Sequence, residues 1–286
     1  SCELAGYYWI PPSFPAAPSV IKHILVSELG QLEADIDTPD TYDWKYAFTV
    51  DKKINSKKLI EGIASASPYI PRFDNMGNFK FDVIPINGEP ISPATVKKIK
   101  EADVIDFSFS RTKIEDVYTK IVFKYNWDYA RGEFNDSVEA DISLVEGYEP
   151  EYYGFKEIDG DIHAESTLVI DDDRGKYIRK SDAHDTAKAF AEWYLMWSCN
   201  QHLKMKIKLP LKYMDLEIGD FVDFDAILGD VKPYGIDYVN AGEWSINGQQ
   251  FYKNFLITST NKTLEYCEIE CIQMHNLEGD CVPDCL

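Results

Sequence analysis

The chain has 286 residues, 45% of them hydrophobic and 14% aromatic, which excludes a largely disordered chain and favours a β-rich fold of roughly one to three domains. Its 49 acidic and 29 basic side chains give a formal charge of -20. That balance excludes sequence-independent nucleic-acid binding, which depends on Lys and Arg neutralising phosphates. It suits a soluble part of an assembly, or surroundings whose salt screens self-repulsion. No run of about 18 apolar residues is present, so no membrane-spanning helix is expected. The N-terminus lacks the basic-then-apolar pattern of a signal peptide. Ser1 in place of Met fits either a trimmed start or a piece of a longer chain.

In chain order, the aromatic and proline-rich start from Tyr7 to Ser19 predicts an extended arm. Val20, Ile21, Ile24, Leu25 and Leu29 mark a short amphipathic helix stopped by Gly30, and residues 31–43 form an acidic loop. Trp44, Tyr46, Phe48 and Val50 alternate as a strand. Asn55 or Ser56 then caps a helix carrying Leu59, Ile60, Ile63 and Ala64. Residues 69–85 read as a hairpin turning at Asn75-Met76-Gly77-Asn78. A short helix is expected near Thr95 to Ala102, leading to Ile105, Phe107 and Phe109.

The strongest strand signal places Ile121, Phe123, Tyr125, Trp127 and Tyr129 on one face, predicting a central strand. Residues 135–180 are acidic and irregular, with a strand-like piece near Ser166 to Ile170. Ser181 or Asp182 caps a helix whose Ala183, Ala187, Phe190, Tyr194 and Trp197 form one apolar stripe. A second stripe of Ala189, Trp193 and Met196 means that more than half its circumference is buried. The period then switches to two: Leu203, Met205, Ile207 and Leu209 alternate with His202, Lys204, Lys206 and Lys208. Ile218-Gly219-Asp220 turns into a strand with Phe221, Val222 and Phe224. Residues 226–250 are a long loop or small insertion. A hairpin with its turn at Thr260-Asn261-Lys262-Thr263 closes the chain.

Chemical motifs are sparse. Cys267, Cys271, Cys281 and Cys285 leave three readings open: buried apolar strand residues, which lead, two disulfides, or a zinc site. Asp159, Asp161, His163 and Glu165 alternate, which on a strand would put all four on one face as a metal or acid–base group. A solvated edge of a carboxylate-rich protein is the leading reading for them. Asp171-Asp172-Asp173-Arg174 reads as a turn, and Asp220, Asp223, Asp225 and Asp230 as a charged edge. No nucleophile elbow, P-loop, GxGxxG or HExxH motif occurs, so no catalytic residue and no cofactor are expected. Trp127, Trp244 and Tyr252 supply the aromatics that a carbohydrate-binding or cell-wall-degrading enzyme would need.

The order of segments from DWKYAFTV through VYTKIVFKYNWDYARGEF and AKAFAEWYLMW to FLITSTNKTLEYCEIECIQMH, over roughly residues 17–276, resembles the hub or tip proteins of bacteriophage tails. The resemblance implies an α+β, β-rich fold with small β-barrel-like hub modules and an inserted α+β module. Its parts would be an arm and short helix over 1–43, an α+β module over 44–112, a β module with the acidic segment over 113–180, and a helix plus β-meander hub module over 181–286. Such proteins have further sequence on both sides, so this would be a short hub or a fragment. The implied role is structural: a homotrimer in the virion tail, assembled in the host cytoplasm, closing the tube. Its partners would be the distal tail or tube protein, the tape-measure protein and a tail fibre or receptor-binding protein. Trp193 and Met196, on the stripe opposite a complete core face, are the expected subunit contact.

Overall fold

A computed structural model describes residues 17–36, 44, 46, 54–65, 67–85, 90, 95–142, 166–172, 183–199, 201–226, 231–235, 237–239, 245–246 and 249–275. Across them the fold is α+β and β-rich. Helix α1 (Ala17–His23) runs into a π-turn at Ile24–Glu28 and stops at Gly30, whose φ of +70° suits glycine. Ala17, Ile21, Ile24 and Leu25 face inward. Helix α2 (Ser56–Ser65) is capped by the Asn55 side chain, which accepts the Lys58 N–H at 3.3 Å, and buries the four predicted positions. The hairpin of β1 (Tyr69–Phe73) and β2 (Phe79–Val83) turns where predicted. There the Asp74 carboxylate accepts the N–H groups of Met76 and Asn78.

Strands β3 (Lys97–Ile99), β4 (Asp106–Arg111), β8 (Leu203–Leu209), β9 (Phe221–Phe224), β10 (Ser245–Ile246), β11 (Gln249–Lys262) and β12 (Cys267–His275) build a seven-stranded sheet. Its order is β3-β9-β11-β12-β8-β4, with β10 paired to β11, and β3 and β9 are its one parallel pair. A second sheet has β5 (Lys120–Asp128) between β6 (Glu133–Asp141) and β7 (Thr167–Asp171), the central place its sequence foretells. Both sheets are open, so the expected barrel-like modules are not closed barrels among the described residues.

The alternation in β8 puts Leu203, Met205, Ile207 and Leu209 into one core with Ile257, Cys267, Ile269 and Cys271, leaving Lys204, Lys206 and Lys208 outward. Cys267 and Cys271 are free and buried, the leading reading for them; Cys281 and Cys285 lie outside the described residues. Helix α3 (Ala183–Ser198) packs on the second sheet, and its core takes in α1, α2, the β1–β2 hairpin, Trp44 and Tyr46. A third apolar group, on the other face of the large sheet, sets Phe221, Leu256, Ile272 and Met274 against Ile70, Ile84 and Trp197.

Several expectations fail for local reasons. The helix expected near Thr95 to Ala102 is β3 followed by a 3-10 turn at Glu101–Asp103. Ile99 is fully buried in the sheet, so strand pairing overrides a weak helical pattern. Part of the acidic stretch after 135 is β6, which turns only Val138 and Ala140 fully inward and so lacks a strong pattern. The closing turn lies at residues 263–266, where the Thr263 hydroxyl accepts the N–H groups of Glu265 and Tyr266. Asn261 and Lys262 stay in β11. In the 226–250 region Tyr238 is buried, and β10 forms a short ladder with β11. The last three residues of the predicted arm, Ala17 to Ser19, open α1 instead, and the rest of the arm and most of the predicted strand at 44–50 lie outside the described residues.

Strand β5 also departs near its end. Asn126 has a φ of +59°, Tyr129 sits in the turn and is exposed, and Trp127 is half-buried, edge-on to Phe134 with ring centroids 4.9 Å apart. Chemical denaturation should therefore show that Phe123→Ala loses about 3–5 kcal/mol, as for a fully buried aromatic, and that Trp127→Ala loses clearly less. Equal losses would contradict this assignment.

Candidate functional site

Helix α3 carries both residues expected at a subunit contact. Trp193 and Met196 are only 9% and 3% exposed within the single chain and belong to the main core. The premise behind that expectation, an uncovered stripe, does not hold. Trp193 lies among Phe190, Tyr194 and Trp197, and its indole N–H has no partner among the described residues.

Beyond the helix, the alternation places His202 on an outward polar face, yet it is 3% exposed. Strand β8 begins one residue later, so His202 lies outside the alternation. Its place just after a helix end is the one sequence signal that could have marked it.

A charged clamp joins the β1–β2 hairpin to the large sheet. The Arg72 guanidinium donates to Asp82 Oδ2 at 2.6 Å and, through its other arm, to Glu217. Glu217 Oε1 accepts the Asn75 N–H at 2.6 Å, and Lys262 donates to Asn75 Oδ1 at 2.9 Å. The Glu217 N–H donates to Asp220 Oδ2 at 2.8 Å, closing the turn before β9. Gly219 has a φ of +91°, and a Cβ there would lie 2.7 Å from Asp82 Oδ2. Burial works against the Arg72 charge, but the two carboxylates outweigh it and raise its pKa. Burial raises the Asp82 carboxyl more than Arg72 lowers it, and burial raises Asp220. This is a mechanical joint, and it offers no nucleophile.

Among the described residues no three His, Cys, Asp or Glu side chains are grouped to hold a metal ion. The cluster of Asp159, Asp161, His163 and Glu165 lies outside them, as do Asp173, Arg174, Asp230, Trp244 and the side chains of His184 and Tyr252. No helix among the described residues is long and apolar enough to cross a membrane.

No protein-family model and no curated protein matches the sequence. Among solved structures, the chain is similar to one from the virion of a native gene transfer agent particle, at 14% identity and a TM-score of 0.49, covering 93% of this chain and 48% of that one. It is also similar to the 43 kDa tail protein of prophage MuSo2 from Shewanella oneidensis, at 12% identity and a TM-score of 0.48, covering 91% of this chain and 66% of that one. A tail protein from Neisseria meningitidis MC58 shares 8% identity at a TM-score of 0.49, covering 92% of this chain and 68% of that one. The chain thus spans about half to two thirds of the length of these proteins.

Two substitutions test the clamp. Gly219→Ala should destabilise by at least about 1 kcal/mol in urea, through backbone strain and collision with Asp82; a neutral result would contradict the turn. Asp220 has a raised pKa, so its ionised form costs stability at neutral pH, a cost removed as pH falls through the folded-state value. Asp220→Asn should match or exceed the native stability at pH 7 and lose any advantage on acidification. An advantage that grows in acid would reverse the sign.

Proposed function

We propose that the chain is a structural component of a bacteriophage virion tail, a hub or tip ring of three copies that closes the tail tube and works through contacts rather than catalysis. The observation that carries the reading is β4. This strand pairs only with β8, and its other edge is unpaired among the described residues. Asp106 and Arg111 charge its two ends, but it has no Pro or Lys, and Phe109, edge-on to Tyr234 at 5.8 Å, and the preceding Ile105 are still exposed at 38% and 59%. An unpaired edge that still exposes large apolar side chains is a place for another chain to pair. The order of sequence segments supports the same reading.

The distal tail or tube protein, the tape-measure protein and a fibre or receptor-binding protein are the partners that this role calls for. The four-part division at 43, 112 and 180 belongs to the reading too, with β3 and β4 of the second part completing the sheet of the fourth. Trp193 and Met196 join the subunit contact in this proposal only if another chain reaches α3; the unpartnered indole N–H of Trp193 is the polar group it would meet.

Native mass spectrometry of the purified chain tests the reading. The expected result is a three-copy species, and a folded single chain for the double variant Ile105→Lys, Phe109→Lys. A native protein that stays a single chain, or a variant that assembles normally, would contradict it.

A further inference from the structure

His202 lies where α3, β8, β12 and the segment after β4 converge. Its own carbonyl accepts the Thr112 N–H at 3.0 Å, and its N–H donates to Thr112 Oγ1 at 3.2 Å, so the backbone is held in place. The ring lies tilted against that of Trp197, with centroids 4.6 Å apart. Its Nε2 is 2.6 Å from the Trp197 carbonyl in the last turn of α3, and its Nδ1 is 2.9 Å from the Gln273 carbonyl of β12. A carbonyl can only accept, and a neutral imidazole has one N–H. One of these contacts is therefore a hydrogen bond, and the other sets a lone pair against an oxygen. A second proton would satisfy both carbonyls, but at the cost of a charge in a pocket that solvent scarcely reaches.

We propose that His202 is a proton-sensitive joint between α3 and the large sheet: neutral, it holds the helix end to β12, and proton uptake loosens that hold. Charged and titratable groups come from each converging element. Strand β8 brings Lys204, whose charge disfavours a second proton. Arg111 and Lys113 flank Thr112, β12 carries Glu268 and Glu270, and α3 carries Lys188 and Glu192. The Cys199 thiol at the end of α3 is pushed up to about 12 by burial and stays neutral. Burial lowers the His202 pKa more than the two carbonyls raise it. For a base depressed in this way, the stabilisation is complete above the unfolded value of about 6.5 and is lost as pH falls from there through the folded value.

The test is an NMR titration of the His202 ring in the folded protein, assigned by its disappearance in His202→Gln, combined with amide exchange around Trp197. The ring should titrate below about 6.5. After correction for intrinsic rates, exchange at the helix end should quicken between pH 7.5 and 5.5. The protection lost should approach about tenfold for each unit that the folded value lies below the unfolded one. His202→Gln should lack this step. A ring that titrates at or above 6.5, or helix-end exchange without the step in the native protein, would overturn the proposal, and so would the same step in His202→Gln. If His202→Gln fails to fold, the ring titration and the exchange of the native protein decide.

Discussion

Phe190 is the point at which three parts of the molecule press on one another. Its ring lies 4.9 Å from that of Phe123 in β5, 6.4 Å from Trp44, and about as far from Trp193 and Tyr194 on its own helix. Ala187 and Ala191, both fully buried, let α3 come close to the sheet beneath it. Aromatic contacts of this kind add roughly 0.5–1.5 kcal/mol per pair beyond simple burial, and here they tie elements far apart in sequence. The helix end then sets the next element, because the Ser198 carbonyl accepts the Tyr118 N–H just before β5. Trp197, two turns on from Phe190, reaches the apolar end of the large sheet. Displacing α3 would therefore disturb both sheets at once.

The large sheet is apolar along one face and at one end of the other. The rest of that second face is charged: Lys206 meets Glu268 at 3.0 Å and Glu270 at 3.3 Å, and Lys208 sits over the Tyr266 ring. Exposed pairs of this sort contribute little to stability, so the covered end and the Arg72 clamp hold the hairpin in register.

How much of this could be read from the sequence depended on whether a pattern was local. The alternation in β8, the capped helix after Asn55 and the hairpin around Gly77 are local, and each stands where its residues place it. Strand β3 was not legible, because three residues become a strand only through pairing with β9 more than a hundred positions away. Strand β6 was hidden by its outward polar face. The burial of Trp193 within the chain was not legible, because a helical wheel cannot show that the core packs around both stripes. His202 looked polar and outward because the alternation seems to include it until the start of β8 is known.

On the side of β4 away from β8 the large sheet has an unpaired edge among the described residues, beside the exposed Ile105 and Phe109. The most direct measurement is electron microscopy of phage particles that encode this chain, with the chain tagged and labelled. The account predicts label at the end of the tail in every intact particle. Intact particles without label on the tail, or label only on free protein, would contradict it.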